Sequence, residues 1–235
     1  MSTEMVAVTV PRIPRIGEPA PDFESNSTQG VVRLSDFTSK GKWVVLFSHP
    51  GDFLPVCTTE FVEFARRNDD FEKRKAQLIG CSVDSVFSHI AWIRSIQEDS
   101  GIKIPFPVIA DADRKVARLF GMLHDAASDT ATVRAVLFID PTQTIRTLLY
   151  YPVACGRNID EILRIVDALQ MSDTNHVATP ANWRPGESVI VPPPTTQADA
   201  EERVAGRDGL EITDWYLARS NWRLPTKSAE RLSYA

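Results

Sequence analysis

Three continuous apolar runs of strand length, WVVLFSH at 43–49, QLIGCSV at 77–83 and VRAVLFI at 133–139, constrain this chain more than any other feature. Runs without polar alternation belong to strands buried on both faces, as in a sheet covered by helices. Residues 57–76 separate the first two runs and repeat Phe61, Phe64, Ala65 and Phe71 at helical spacing, while 85–97 does the same with Val86, Ile90, Ile93 and Ile96. Strands alternating with helices predict βαβ units and a mainly parallel sheet. A fourth run, IRTLLYY at 145–151, follows 133–139 across Asp140-Pro141-Thr142-Gln143, a gap short enough for a hairpin and hence an antiparallel edge. Asn158 then stands where a helix over 159–170 begins, with Ile159, Ile162, Leu163, Val166 and Leu169 as its apolar stripe. The expected class is α/β, in the order β-α-β-α-β-β-α.

At 235 residues the chain suits one main domain with an appendage. The main domain is expected over 12–170. Beyond Gln170 the periodicity fades and Pro180, Pro185 and Pro192-Pro193-Pro194 interrupt the chain, yet Trp183, Trp215 and Trp222 are too many for solvated disorder, so 171–235 reads as a small domain or arm that docks. With 26 basic against 31 acidic residues and no cluster of Lys and Arg, nucleic acid is not an expected partner. No apolar run approaches the roughly 18 residues of a membrane span, and prolines interrupt the short apolar stretch near the N-terminus, so neither membrane insertion nor secretion is expected and the reading is cytoplasmic. Three widely spaced cysteines, Cys57, Cys81 and Cys155, fit neither a disulfide framework nor a metal site.

Cys57 draws notice by its place. The segment from Ser48 to Glu60 leaves a buried strand and enters the first turn of a helix, where unpaired N–H groups and the macrodipole favour an anion and depress a thiol pKa. Pro50 and Pro55 stiffen the bend. The competing reading is a small buried hydrophobe.

The loop HPGDFLPVCTTE resembles the active-site loop of peroxiredoxins, whose pattern is P-x-x-x-T-x-x-C. PAPDF at 19–23, LIGCSVDS at 78–85, VRAVLFID at 133–140 and YYPVACGRNIDEILRIV at 151–166 agree in order, and PANWRPGESVIVPPPT at 180–195 resembles the C-terminal domain of the 1-Cys subfamily. The resemblance implies a thioredoxin fold with an N-terminal extension and a small C-terminal domain or arm. It implies a thiol-dependent peroxidase needing no cofactor or metal, acting on peroxides and recharged by an external thiol reductant, and assembled as a homodimer or ring of dimers. Cys57 would be the peroxidatic cysteine and Arg134 the arginine that stabilises its thiolate and binds peroxide. Pro50 would shield the sulfur, and Glu60 and Arg157 would pair behind the site. His49 is either a hydrogen-bonding group at the site or a satisfied buried histidine, and Asp52 and Phe53 need do no more than shape the loop.

Leu54 departs from the pattern, standing where the family carries a threonine whose hydroxyl contacts thiolate and peroxide. Catalysis is therefore expected to be slowed, and a scaffold with a chaperone-like or peroxide-sensing role is the alternative. Cys81 reads as core, whereas Cys155, beside Gly156 and Arg157, is the internal candidate for a resolving thiol. A dithiol oxidoreductase lacks its C-x-x-C pair, and no G-x-S-x-G elbow supports a lipase.

Overall fold

The structure, a computed structural model, describes residues 12–206 and 209–221. The chain divides into two compact units, Met1–Ile159 and Asp160–Ala235. In the first, the apolar runs form β3 (Trp43–Ser48), β4 (Ala76–Ser82) and β6 (Arg134–Ile139), and IRTLLYY forms β7 (Ile145–Tyr151). Every residue of β3 and β6 is buried, as continuous apolar strands require. Shorter strands β1 (Glu24–Ser27), β2 (Gly30–Arg33) and β5 (Val108–Ala110) complete a seven-stranded sheet in the order β2-β1-β5-β4-β3-β6-β7. These three, at three or four residues each, are too short to carry a periodic signal. Two short helices, α1 (Ser35–Thr38) and α5 (Lys115–Leu119), also have no sequence signature of their own.

The sheet is mixed, not mainly parallel. Only β3–β4 and β4–β5 run parallel, while β1–β2, β1–β5, β3–β6 and β6–β7 are antiparallel. Helical crossovers joining β3, β4 and β5 enforce the parallel pairs, and strands arriving by other routes add at both edges. β7 lies at one edge as a hairpin partner of β6, with Leu137 opposite Leu148. This is the thioredoxin-type sheet with added N-terminal strands.

The helix expected over 57–76 is two, α2 (Pro55–Arg66) and α3 (Asn68–Lys73), meeting at Arg67. Along α2 the buried residues are Cys57, Glu60, Phe61 and Phe64, spaced i, i+3, i+4, i+7. The face that packs on the sheet therefore carries both the thiol and a carboxylate. Phe47 of β3 stacks on Phe64 at 4.2 Å between centroids and meets Phe61 edge-on at 5.5 Å. Next to Phe47 in register is Gly80 of β4, where a Cβ would lie 3.2 Å from Phe61 Cζ and 3.5 Å from Phe47 Cζ. A glycine inside a strand marks such a close approach.

The next helix, α4 (Val86–Ser100), is capped by Ser85, whose side chain accepts from Ser88 N, and ends at Gly101 in the left-handed conformation (φ 71°). Its buried face is His89, Trp92 and Ile96, and Ile90 of the expected stripe is exposed. The stripe turns because a histidine takes a core position, which its hydrogen bonds permit.

In the second unit, α6 (Ile159–Asn175) outruns its expected end, and Asn158 precedes it. The following chain forms α7 (Gln197–Val204) and a small antiparallel sheet of β8 (Val189–Val191), β9 (Leu210–Asp214) and β10 (Leu217–Ser220), in the order β8-β10-β9. Its core joins Met171, Val177, Trp183 and Val189. Trp183 is buried, Trp215 is exposed, and Trp222 lies outside the described residues. Among the described residues no helix is long and apolar enough to cross a membrane.

Gly80 permits the close approach of α2 to the sheet, so Gly80→Val is expected to destabilise the protein by about 1–3 kcal/mol through overpacking and to slow peroxide oxidation of Cys57. Denaturant unfolding and stopped-flow oxidation measure the two effects; a variant that loses neither would refute the role given to this glycine.

Candidate active site

β3 ends at Ser48, and residues 49–54 carry the chain to the first turn of α2, with Pro55 at the start of the helix. Proline suits that position because its missing N–H would have no intrahelical partner. Leu54, the N-cap, has an extended backbone and makes no side-chain cap. Its carbonyl instead accepts from Thr58 N at 2.9 Å and Thr58 Oγ1 at 3.0 Å. The loop holds Pro50 buried and Phe53 exposed in the left-handed region (φ 57°).

Cys57 has no exposed surface, and Arg134 Nη1 donates to its sulfur at 3.2 Å. The same nitrogen donates to Glu60 Oε2 at 2.8 Å, and Arg134 Nε donates to the Val153 carbonyl at 2.9 Å. Arg157 completes the cluster: Nη2 reaches Glu60 Oε2 at 2.6 Å, and both its amide (2.8 Å) and Nε (2.9 Å) reach Oε1. Arg157 Nη1 donates to the carbonyls of Ser48 (2.8 Å) and Ala135 (3.0 Å), tying the cluster to β3 and β6. The guanidinium also lies over Phe47 and Phe64, at 5.2 and 5.6 Å from their centroids. The Glu60–Arg157 pairing expected from the sequence is thus present, and Arg134 joins it through the same carboxylate.

Helix position is one of several influences on the Cys57 thiol. Burial pushes the thiol above its ordinary value; the hydrogen bond and charge of Arg134 and the Gly51 amide pull it down, and the Glu60 carboxylate opposes them. Two guanidiniums and one carboxylate nevertheless leave the buried cluster with one net positive charge, which a thiolate would neutralise. Cys81, in β4, is buried and its thiol is pushed well up by burial and by Asp111. Cys155 is an exposed free thiol.

His49 and Asp52 do more than the sequence suggests. His49 Nε2 lies 3.0 Å from Asp52 Oδ1, and His89 Nδ1 lies 2.8 and 3.0 Å from the two Asp52 oxygens. His89 Nε2 faces the Ile109 carbonyl at 3.1 Å, so both its nitrogens point at acceptors. Burial would raise the Asp52 carboxyl, but the bonds from His49 and His89 outweigh it and hold it well below the usual carboxylate range. Burial lowers the His49 pKa against the pull of Asp52, favouring the neutral ring. The three groups lie within 4.8 Å of one another at hydrogen-bond separations. Asp52 therefore links the active-site loop to α4 instead of merely shaping the bend.

Sequence reasoning also missed several supports. Ser48 Oγ donates to the Val133 carbonyl at 2.6 Å and accepts from Ala135 N at 3.0 Å, bracketing Arg134. Thr132 Oγ1 donates to the His49 carbonyl at 2.8 Å, and Asp84 accepts from the Asp52 amide at 3.0 Å. The polar His89 at a buried-face position of an amphipathic helix was the one readable signal among them.

Glu60→Gln removes the carboxylate that competes for Arg134. The Cys57 thiol pKa is expected to fall while stability drops by about 3–5 kcal/mol as two buried guanidiniums lose their partner. Titration of the thiolate ultraviolet absorbance and chemical unfolding read both effects, and a raised thiol pKa would contradict the charge balance described.

Residues 16–148 match the AhpC/TSA family, and residues 168–206 match the C-terminal domain of 1-Cys peroxiredoxin. The chain is 53% identical over 219 residues to peroxiredoxin 2 of Caldanaerobacter subterraneus, covering 92% of this chain and 98% of the relative, and 54% identical over 217 residues to the peroxiredoxin of Aquifex aeolicus, covering 88% and 96%. Among solved structures, a yeast mitochondrial 1-Cys peroxiredoxin superposes with a TM-score of 0.78 at 38% identity, covering 89% of this chain and all of that one. A cysteine-to-serine mutant of the peroxiredoxin 6 of Arenicola marina gives 0.77 at 35%, covering 88% and 98%. A buried cysteine held by an arginine at the start of a helix, on this fold and with these relatives, leads to one conclusion: the chain belongs to the AhpC/TSA family and is a peroxiredoxin, a thiol-dependent peroxidase.

Proposed function

We propose that Cys57 is the peroxidatic nucleophile, that Arg134 is its catalytic partner, and that the chain works by a 1-Cys mechanism on hydrogen peroxide and organic hydroperoxides. The observation that carries this reading is Arg134 Nη1 at 3.2 Å from Cys57 Sγ, both side chains buried. The sulfur attacks the terminal peroxide oxygen; the S–O bond forms as the O–O bond breaks, and water or an alcohol leaves while Cys57 becomes a sulfenic acid. Arg134 stabilises the thiolate and donates to the peroxide oxygens, a role suited to a fixed planar guanidinium. Glu60 and Arg157 are positioning residues that hold it, and Pro50 excludes water from the sulfur.

His49, whose pKa burial lowers, has a buried Nδ1 with no hydrogen-bond partner among the described residues. Leu54 supplies no hydroxyl where the family pattern has one. Losing a preorganised donor to developing charge costs about 10²–10³ in rate, and this deficit is the one feature favouring the second reading, a slowed scaffold that senses peroxide or acts as a chaperone.

For the reductive half, an external thiol is the fitting partner. Cys81 is sealed in β4, and Cys155 is the remaining internal thiol. Three free cysteines suit a reducing compartment, so the proposed setting is the cytoplasm. The proposed assembly is a homodimer or a ring of dimers.

Two outcomes test the proposal. Stopped-flow oxidation of Cys57 by hydrogen peroxide is expected to outrun that of free cysteine and to rise by about 10²–10³ in Leu54→Thr; the slowed-scaffold reading wins if the parent is no faster than free cysteine. Intact-mass analysis after one equivalent of peroxide is expected to show a single added oxygen on Cys57, and a Cys57–Cys155 or intersubunit disulfide would overturn the 1-Cys mechanism.

A further inference from the structure

His89 shares the buried face of α4 with Trp92 and Ile96 and has no exposed surface. An imidazole in such a place costs free energy unless its ring nitrogens find partners. Here each nitrogen faces an acceptor. Nδ1 lies 2.8 and 3.0 Å from the two Asp52 oxygens, and Nε2 lies 3.1 Å from the Ile109 carbonyl. A neutral ring carries one N–H and can serve only one of these; donation from both nitrogens serves both. The Asp52 carboxylate accepts a further bond from His49 Nε2 at 3.0 Å, and the Asp52 amide donates to Asp84 Oδ2 at 3.0 Å. His89 thus spans three elements, with Ile109 in β5, its own backbone in α4 and Asp52 in the active-site loop. Asp52 directly follows Gly51, whose amide reaches Cys57. A glycine puts little restraint of its own on the direction of its N–H, so that direction follows the anchor beside it.

We propose that His89 is a positioning residue for Cys57 oxidation: donating from both ring nitrogens, it fastens Asp52 to β5 and so keeps the Gly51 amide aimed at the sulfur. This role rests on the peroxidase reading. The ring bonds of His89 go to Asp52 and Ile109, and it acts on the sulfur only through the loop. Without it the Asp52 carboxylate keeps a single ring donor, His49, from its own loop, and nothing on α4 holds it. Gly51 is then free to turn its amide away, and the thiolate loses a donor that assists Arg134. Misplacement by about 1 Å, caused far from the chemistry, can cost about 10² in rate.

The test compares the full-length parent with His89→Gln, Asp52→Asn and the double variant. Thiolate ultraviolet absorbance reads the Cys57 pKa, and stopped-flow kinetics read its oxidation by hydrogen peroxide. A glutamine amide reaches one acceptor or the other but does not span both. Each single variant is expected to raise the thiol pKa and to slow oxidation at neutral pH by about 10–10²-fold. The double variant is expected to lose no more than either single one, because both cut the same bridge. A lower unfolding midpoint with thiol pKa and rate unchanged makes His89 a structural residue only and overturns the proposal. Nitrogen NMR of the folded parent gives a readout that needs no variant to fold: both His89 ring nitrogens are expected to carry a proton at neutral pH, and a bare Nδ1 or Nε2 overturns the bridge. Either result leaves the peroxidase reading standing. If parental Cys57 is oxidised no faster than free cysteine, the peroxidase reading falls and the positioning role with it, whatever the ring spectrum shows.

Discussion

The Glu60 carboxylate, held between Arg157 and Arg134, is the interaction on which the site depends. The two arginines donate four hydrogen bonds to it, at 2.6–2.9 Å and out of reach of solvent. One arginine is anchored to carbonyls of β3 and β6, and the other begins β6. Because Glu60 sits one turn beyond Cys57 on α2, fixing the carboxylate also fixes the thiol over the end of the sheet. A buried ion cluster is poor evidence for net stability, since desolvation offsets most of the attraction. Its value here is geometric: it aims one guanidinium N–H at a sulfur.

The same arrangement sets the charge balance around a fully buried thiol. Burial favours the neutral form, and Arg134 with the Gly51 amide favours the anion. The net positive charge of the cluster means that ionising Cys57 completes a charge balance instead of burying a lone charge. The pull towards the anion comes from Arg134 and the Gly51 amide, and the start of α2 has no side-chain cap at Leu54.

A second polar group stiffens the approach from the other side. Asp52 binds His49 on its own loop and His89 on α4, and Asp84 holds the Asp52 amide. Loop residues that would otherwise be mobile are thereby tied to two neighbouring elements through charge-assisted hydrogen bonds. The left-handed Phe53 lies between this anchor and Leu54 in the chain.

Continuous apolar runs are a local property, so the sequence by itself determined the long central strands, the β6–β7 hairpin, and the junction carrying Cys57. The resemblance to peroxiredoxins singled out Arg134, Glu60, Arg157 and the odd Leu54. Strands of three or four residues carry no period, which hid β1, β2 and β5 and made the sheet look more parallel than it is. Polar residues satisfied only by distant partners cannot be read locally either. His89 finds its partner in Asp52, 37 positions away. The sign of the Cys57 shift likewise required the tertiary structure, because helix position is written in the local sequence whereas burial and the shared pull of Glu60 on Arg134 exist only once the sheet has closed behind α2.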